Sequence, residues 1–135
     1  MAENEKDILL KADHIKVYFK GKNKRSGTVK AVDDVNLAIH KGETFGVVGE
    51  SGCGKSTLGR TLIRLIDPTE GQIYLNGEDI SRLKGAQLKA MRKKMQIIFQ
   101  DPSACLNPRR TVRQILMEPF EIHHLDKEMD VEARI

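Results

Sequence analysis

Gly49–Thr57 reads Gly-Glu-Ser-Gly-Cys-Gly-Lys-Ser-Thr, and this stretch decides the fold of the chain. It satisfies the pattern G-x-x-x-x-G-K-S/T of a phosphate-binding loop, in which glycines let backbone N–H groups converge on a polyphosphate. In such a loop the Lys55 ammonium lies against the β- and γ-phosphates, and the Ser56 hydroxyl binds Mg²⁺. The sequence therefore predicts a nucleoside triphosphate site formed by Gly49, Glu50, Ser51, Gly52, Cys53, Gly54, Lys55, Ser56 and Thr57.

The segments around this loop have the pattern that the motif needs. Thr44–Val48 is short and mostly apolar, which is typical of a buried strand, and Gln96–Phe99 is a second candidate of the same kind. After the loop, apolar residues recur at helical spacing, namely Leu58, Leu62, Leu65 and Ile66. Arg60 and Arg64 fall on another face of this helix. We expect Asp67-Pro68 to end it, because proline disfavours the α conformation in the preceding residue.

Length and composition describe a globular domain or a piece of one. The 135 residues fit a single domain, and 39% hydrophobic with 31% charged residues is ordinary for a soluble protein. No run is long and apolar enough to span a bilayer, and the N-terminus does not resemble a secretory signal, so we expect a cytoplasmic protein. Cys53 and Cys105 make no disulfide framework, and no paired Cys or His spacing indicates zinc.

Basic residues cluster in two stretches, residues 16–30 and 82–94, although the net charge is only +4. Such patches raise the question of nucleic-acid binding. Aromatic residues make up only 4% of the chain, however, so no platform for stacking bases accompanies the positive charge. We therefore interpret both clusters as solvated loops and helix faces, and expect no nucleic-acid partner.

Further strands and helices are predicted on both sides of the loop. Ile8–Phe19 and Val29–Ile39 are rich in strand-forming residues, and Gln72–Leu75 alternates before the tight-turn pair Asn76-Gly77. A short basic helix is indicated by its apolar face, formed by Leu88, Met91 and Met95. Thr111 and Gln114 form a T-x-x-Q capping box that predicts the start of another helix. The charged tail, residues 126–135, is predicted to be helical.

Four segments together resemble the ATP-binding subunit of ABC transporters, and more narrowly that of oligopeptide and dipeptide importers. The first is Val29-Lys-Ala-Val-Asp-Asp-Val-Asn-Leu37 with Lys41-Gly-Glu-Thr44, and the second is the phosphate loop continued to Arg60. The third is Pro68-Thr-Glu-Gly-Gln-Ile-Tyr-Leu-Asn-Gly77. The fourth, Phe99-Gln-Asp-Pro-Ser-Ala-Cys-Leu-Asn-Pro-Arg109, is the most specific, because its Leu-Asn-Pro-Arg ending is similar to the peptide and nickel importer branch.

The resemblance implies roles for residues inside and outside the loop. Gln100 would reach the Mg²⁺ and the attacking water, so Lys55 and Gln100 are the implied catalytic residues and Ser56 and Gln100 the implied metal ligands. An aromatic residue of the first strand, Phe19 or else Tyr18, would stack on the adenine. The implied cofactors are ATP and Mg²⁺.

The resemblance also implies a place in an assembly. The expected partners are transmembrane permease subunits, a second ABC ATPase subunit that is homologous or identical, and indirectly an extracellular peptide-binding protein. Such a subunit hydrolyses ATP to drive import of oligopeptides or dipeptides, and lies peripherally at the cytoplasmic face of the plasma membrane. Nickel is an alternative cargo, because the cargo of such a transporter is selected by other subunits. Two alternatives also stay open: a non-transport ABC ATPase acting on nucleic acid or the ribosome, and a non-catalytic nucleotide-binding remnant.

The implied fold is α/β, an incomplete P-loop NTPase core of the ABC ATPase type with an N-terminal antiparallel β subdomain. Residues 8–42 and 70–80 are assigned mainly to the β subdomain, residues 43–66 and 95–100 to the P-loop core, and residues 101–135 to the Q-loop after Gln100 and the start of a helical subdomain. The family's signature sequence, acidic strand, catalytic glutamate and switch histidine follow the Q-loop and are not found in this chain. We therefore expect weak nucleotide binding, ATP turnover near background, and an exposed apolar layer that includes Val47 and Ile97.

Overall fold

The computed structural model describes residues 7–21, 27–101, 105–125, 130, 131 and 134. The chain divides into two compact units, residues 1–96 and 97–135. The first unit holds an antiparallel sheet of four strands in the order β2-β1-β3-β4. These strands are β1 (Ile8–Lys20), β2 (Thr28–His40), β3 (Glu70–Leu75) and β4 (Glu78–Asp79). The first unit also contains α1 (Lys55–Leu62) and α2 (Gly85–Arg92), and the second contains α3 (Val112–His123).

Strands β1 and β2 confirm the two predicted strand-rich stretches and pair as a long antiparallel hairpin, closed by the bond from the Gly21 N–H to the Gly27 carbonyl at 3.1 Å. The connecting residues 22–26 lie outside the described part of the chain. Both strands carry bulges, where His14 and Asp34 adopt φ angles of 51° and 58°. Because a bulge adds one residue to a strand, it moves the buried side chains from one sequence parity to the other. This shift is visible in β1, where Ala12 and then Ile15 are buried.

Strand β3 runs beside the bulged part of β1, and Gly71 makes this approach possible. A Cβ atom on Gly71 would lie 2.3 Å from the His14 carbonyl oxygen, and the residue has a φ of 91°. Only glycine satisfies both constraints without strain. The predicted tight turn at Asn76-Gly77 is confirmed, because both residues have positive φ (50° and 81°) and join β3 directly to β4.

The hydrophobic core of the first unit lies between one face of the sheet and the two helices. Helix α1 contributes Leu58 and Leu62, and α2 contributes Met91. Ile80, which follows β4, is also buried, and the sheet supplies the remaining members, which are Leu10, Ala12, Ile15, Val17, Val32, Ile73 and Leu75. The predicted apolar face of the basic helix is therefore confirmed for Met91, while Met95 follows the helix and is partly buried against the same core.

The predicted end of α1 was wrong. The helix stops at Leu62 instead of continuing to Asp67-Pro68, because Arg64 adopts the left-handed conformation with a φ of 57°. As a result Leu65 is 45% exposed and does not belong to the buried face. Arg64, predicted to lie on another face than the apolar residues, is itself buried.

The two predicted buried strands, Thr44–Val48 and Gln96–Phe99, were also wrong. Neither segment pairs with another among the residues that the structure describes. Val48 and Ile98 are more than nine-tenths exposed, while Val47 and Ile97 are exposed as expected (46% and 37%). An apolar run forms a buried strand only where neighbouring strands accept its hydrogen bonds, and the antiparallel sheet does not extend to either segment.

In the second unit, the predicted capping box is confirmed. The Gln114 N–H donates to the Thr111 hydroxyl at 3.3 Å, and the Thr111 N–H donates to the Gln114 side-chain oxygen at 2.9 Å. Helix α3 starts immediately afterwards at Val112. Most of the predicted tail helix, residues 126–135, lies outside the described residues.

Candidate functional site

The phosphate loop connects the end of the extended segment after β2 to the first turn of α1, and its glycines are required by its shape. Gly49, Gly52 and Gly54 have φ angles of 155°, 81° and 100°. A Cβ atom on Gly54 would lie 2.2 Å from the Ala31 carbonyl oxygen, so a side chain there would separate the loop from β2. The backbone of the loop is therefore seated directly on the edge of the sheet.

Lys55 folds back over the loop that it follows. Its ammonium donates to the Gly49 carbonyl oxygen at 2.7 Å and to the Glu50 carbonyl oxygen, and it lies 3.7 Å from the Cys53 sulfur. These are bonds to neutral carbonyl groups. A phosphate oxygen carries negative charge and makes a stronger bond to an ammonium, so the Lys55 side chain is positioned to exchange these carbonyl partners for an anion.

The first turn of α1 presents unpaired N–H groups to the same space. The first N–H groups of an α-helix have no acceptor within the helix. None of the described residues gives α1 a side-chain cap, because its N-cap is Gly54, and its first turn contains no acidic residue. The positive end of the helix dipole is thus left for an external anion.

A cavity of about 320 Å³ lies over these groups. Its lining comes from the loop, the first turn of α1 and the start of β2, namely Val29, Lys30, Ala31, Gly52, Cys53, Gly54, Lys55, Ser56 and Thr57. Among the described residues that form this lining there is no carboxylate, while amides, two ammonium groups and two hydroxyl groups are present. The chemistry of the lining fits a polyphosphate, and the Ser56 hydroxyl belongs to the same lining.

The two aromatic candidates for adenine stacking differ in their surroundings. Phe19 is 44% exposed and pairs across the sheet with Val29, which lines the cavity. Tyr18 has partners of its own, since its hydroxyl donates to Asp33 and the Lys30 ammonium lies 5.2 Å from its ring centre. Both aromatic residues pair across the sheet with a residue of the cavity lining, because Tyr18 pairs with Lys30, and Phe19 is the more exposed of the two.

The hydrogen bond between Tyr18 and Asp33 changes the acidity of both groups. It lowers the pKa of the Asp33 carboxyl below its ordinary value of 3.8, and the bond from Lys30 lowers it further. The same bond, with burial and the Asp33 charge, raises the pKa of the Tyr18 hydroxyl above its ordinary value of 10.0. These three side chains form an exposed polar cluster on the sheet, which we call the Tyr18 cluster.

Gln100 and Cys105 belong to the second unit, whereas Cys53 lies within the phosphate loop and lines its cavity. Gln100 is exposed and belongs to the second unit, so its predicted contact with Mg²⁺ and water stays a prediction. Cys53 and Cys105 are both free thiols. Throughout the described ranges, no group of three or more His, Cys, Asp or Glu side chains is arranged to hold a metal ion.

The residue that the sequence interpretation missed is Arg64, whose buried guanidinium holds the end of α1. In the helix predicted to extend to Asp67, Arg64 would lie on a polar face. The available signal was its position between the apolar Ile63 and Leu65, three residues before an aspartate that it could pair with.

Comparison with known proteins identifies the family. The family model described as ABC transporter matches residues 32–134. The oligopeptide transport ATP-binding proteins AppF and OppF of Bacillus subtilis are 53% and 52% identical over 92% and 88% of this chain. The chain spans only 39% and 38% of the lengths of these two relatives.

Solved structures agree with this family. The dimeric structure of MJ0796, a bacterial ABC transporter cassette, matches 82% of this chain and 46% of that chain, with a TM-score of 0.69 and 28% identity. A structure of the same cassette bound to ADP and Pi has a TM-score of 0.56 and 30% identity, covering 62% of this chain and 35% of that one.

These matches confirm the predicted fold class, an incomplete P-loop NTPase core with an antiparallel β sheet. Within the described ranges, no helix combines the length and the hydropathy that crossing a membrane demands. By its phosphate loop, its fold and its sequence over residues 32–134, the chain belongs to the ABC transporter family.

Proposed function

We propose that this chain binds Mg-ATP at the phosphate loop and belongs to the ATP-binding subunit of a peptide importer. The observation that carries the first part is the convergence of the Lys55 ammonium, the uncapped start of α1 and the glycine loop on one cavity. The observation that supports the second is the identity above 50% to oligopeptide transport ATP-binding proteins.

In this proposal each group at the loop has a separate role. Lys55 leaves the Gly49 and Glu50 carbonyls and neutralises charge on the β- and γ-phosphates, while the loop amides hold the phosphate oxygens. The Ser56 hydroxyl would hold Mg²⁺, which would supply charge neutralisation to the phosphates when bound. Gln100 orients the attacking water, and Phe19 stacks on the adenine beside Val29.

The proposed partners are transmembrane permease subunits, a second ABC ATPase subunit and, indirectly, a peptide-binding protein outside the cell. The protein then acts at the cytoplasmic face of the plasma membrane, and ATP-driven closure of two such subunits moves oligopeptides or dipeptides inward. The dimeric state of the solved cassette supports the second ATPase subunit. Failure to associate with peptide-importer permease subunits on co-expression, where an intact relative does, would count against this part.

The experiment that tests the nucleotide site compares Mg-ATP affinity in the parent and Lys55→Ala. Removing the ammonium deletes charge-assisted bonds to phosphate, so we expect a loss of about 10–100-fold in affinity by isothermal titration calorimetry. Lys41→Ala is the matched control, because Lys41 is exposed and does not line the cavity. Equal Mg-ATP affinity in the parent and Lys55→Ala would remove the basis of the proposal.

A further inference from the structure

Arg64 is buried to 3% exposure, and no other charged residue in the described part of the chain is buried to that degree. Its Nε donates to the Ile80 carbonyl oxygen at 2.7 Å, and one Nη donates to the Leu83 carbonyl oxygen at 3.1 Å. The other Nη pairs with the Asp67 carboxylate. Two carbonyl groups from the segment after β4 and one carboxylate thus surround a single guanidinium.

The Arg64 backbone takes part in the same network. Its carbonyl oxygen accepts a bond at 2.9 Å from a guanidinium nitrogen of Arg92, the last residue of α2. We call the set Arg64, Asp67, Ile80, Leu83 and Arg92 the Arg64 hub. Through it the end of α1, residues 80–83 and the end of α2 are joined by side-chain bonds as well as by apolar packing.

The chemistry of the hub requires arginine. A guanidinium presents five donors in a fixed plane, and so it can serve three acceptors that approach from different directions. A lysine carries its donors on one nitrogen and cannot reach all three. The conformation of Arg64 is unfavourable for a residue with a side chain, since its φ is 57°. Its bonds must therefore offset both the strain and the burial of charge.

The hub lies at one end of α1, and the phosphate loop lies at the other. At the loop end, the helix is seated by the contact between Gly54 and the Ala31 carbonyl. The helix has only eight residues, or two turns, so a tilt at the Arg64 end moves the Lys55 end by a comparable amount. Leu58, in the middle of the helix, and Leu62, its last residue, hold it to the core through apolar contacts, which are not directional.

We propose that Arg64 is a positioning residue for nucleotide binding, because it fixes the direction of α1 and with it the loop amides and the Lys55 ammonium. This inference rests on the proposed Mg-ATP site. The hub acts through the helix, and Arg64 does not itself line the cavity. Binding at such a loop depends on the alignment of several donors at once, so a small change of helix direction weakens all of them.

The test measures the Mg-ATP dissociation constant of Arg64→Gly by titration calorimetry, at a temperature where circular dichroism shows the variant folded. Glycine tolerates the left-handed conformation, so this substitution removes the guanidinium without adding backbone strain. We expect affinity to fall about five- to tenfold. Arg64→Lys should give little rescue, because a lysine cannot serve the three acceptors.

Arg60→Ala is the matched control, since Arg60 lies on the same helix and is exposed. We expect it to change the dissociation constant less than about twofold. A lower melting temperature for Arg64→Gly with the parent's dissociation constant would show a structural role only and overturn the proposal.

If Arg64→Gly does not fold, Arg92→Ala removes only the bond to the Arg64 carbonyl, and we expect a loss of about two- to threefold. An unchanged dissociation constant in that folded variant also overturns the proposal. Absence of Mg-ATP binding by the parent would overturn the proposed function itself. Titration of the parent alone reveals this outcome, so the two failures can be told apart.

Discussion

The strands of the antiparallel sheet and two apolar segments, residues 44–48 and 96–99, have similar hydrophobicity but different structures. In the sheet, Ile15 and Ile73 are completely buried. In the segments, Val48 and Ile98 are 93% and 91% exposed. Every strand of the sheet has a partner, since β1 pairs with β2 through a hairpin, β3 pairs with β4 through a tight turn, and β1 and β3 pair although they are distant in the chain. The difference shows that an apolar run encodes the tendency to form a strand, while its neighbours decide whether the strand is buried.

Truncating one side chain in each region tests this comparison with the largest effect. Ile73→Ala removes a side chain with no exposed surface from the sheet, so we expect the free energy of unfolding to fall by about 2–5 kcal/mol. Val48→Ala removes a side chain that is 93% exposed, and we expect a change within about 0.5 kcal/mol. Urea unfolding followed by circular dichroism measures both. Comparable losses in the two variants would mean that residues 44–48 are buried in solution.

A pair of glycine substitutions sharpens the comparison at the backbone. Gly71→Ala places a Cβ atom 2.3 Å from the His14 carbonyl oxygen at a φ of 91°. We expect a loss of about 2–3 kcal/mol in the free energy of unfolding, because β3 must move away from β1 or distort.

The control for Gly71→Ala is Gly46→Ala, in the unpaired segment. A Cβ atom there meets nothing within 4 Å, and Gly46 does not have positive φ. We expect a change near zero, or a slight gain from reduced freedom of the unfolded chain, of about 0.4–1 kcal/mol. Equal destabilisation by the two substitutions would contradict the close approach of β1 and β3.

The same contrast separates what the sequence could predict from what it could not. The loop Gly49–Thr57, the hairpin strands, the turn at Asn76-Gly77 and the capping box at Thr111 are encoded locally, by residue types at fixed spacing. All four are present in the structure. Each depends on residues within one turn or on one pair of adjacent strands, so the sequence contains the whole signal.

Features that depend on distant partners could not be predicted. The bulge at His14 requires Gly71 on a neighbouring strand, and the burial of Arg64 requires carbonyl groups from residues 80 and 83. The burial of residues 44–48 and 96–99 was predicted from hydrophobicity alone, without a neighbouring strand to accept their hydrogen bonds. The cavity at the phosphate loop is intermediate, because its motif is local whereas its contact with Ala31 and the position of Phe19 beside Val29 come from the sheet.

The smallest expected effect is the pH-dependent contribution of the Tyr18 cluster to the stability of the sheet. The bond from the Tyr18 hydroxyl keeps the pKa of Asp33 below its ordinary value of 3.8, so the folded protein holds the Asp33 proton less tightly than the unfolded chain does. The stabilisation is therefore complete above pH 3.8 and is lost as the pH falls below that value towards the lowered pKa. Because the cluster is exposed, water and salt screen this contribution.

Asp33→Asn and Tyr18→Phe should both flatten the acid dependence of stability that the parent shows. Tyr18→Phe removes the larger cause of the lowered pKa, and so it should reproduce most of the effect of Asp33→Asn. Urea midpoints measured between about pH 6 and pH 2.5 for the three proteins provide the comparison. If Asp33→Asn loses stability on acidification as steeply as the parent, the Tyr18 cluster does not contribute to the stability of the sheet. The paired sheet would then owe its advantage over the unpaired segments to backbone pairing and apolar burial alone.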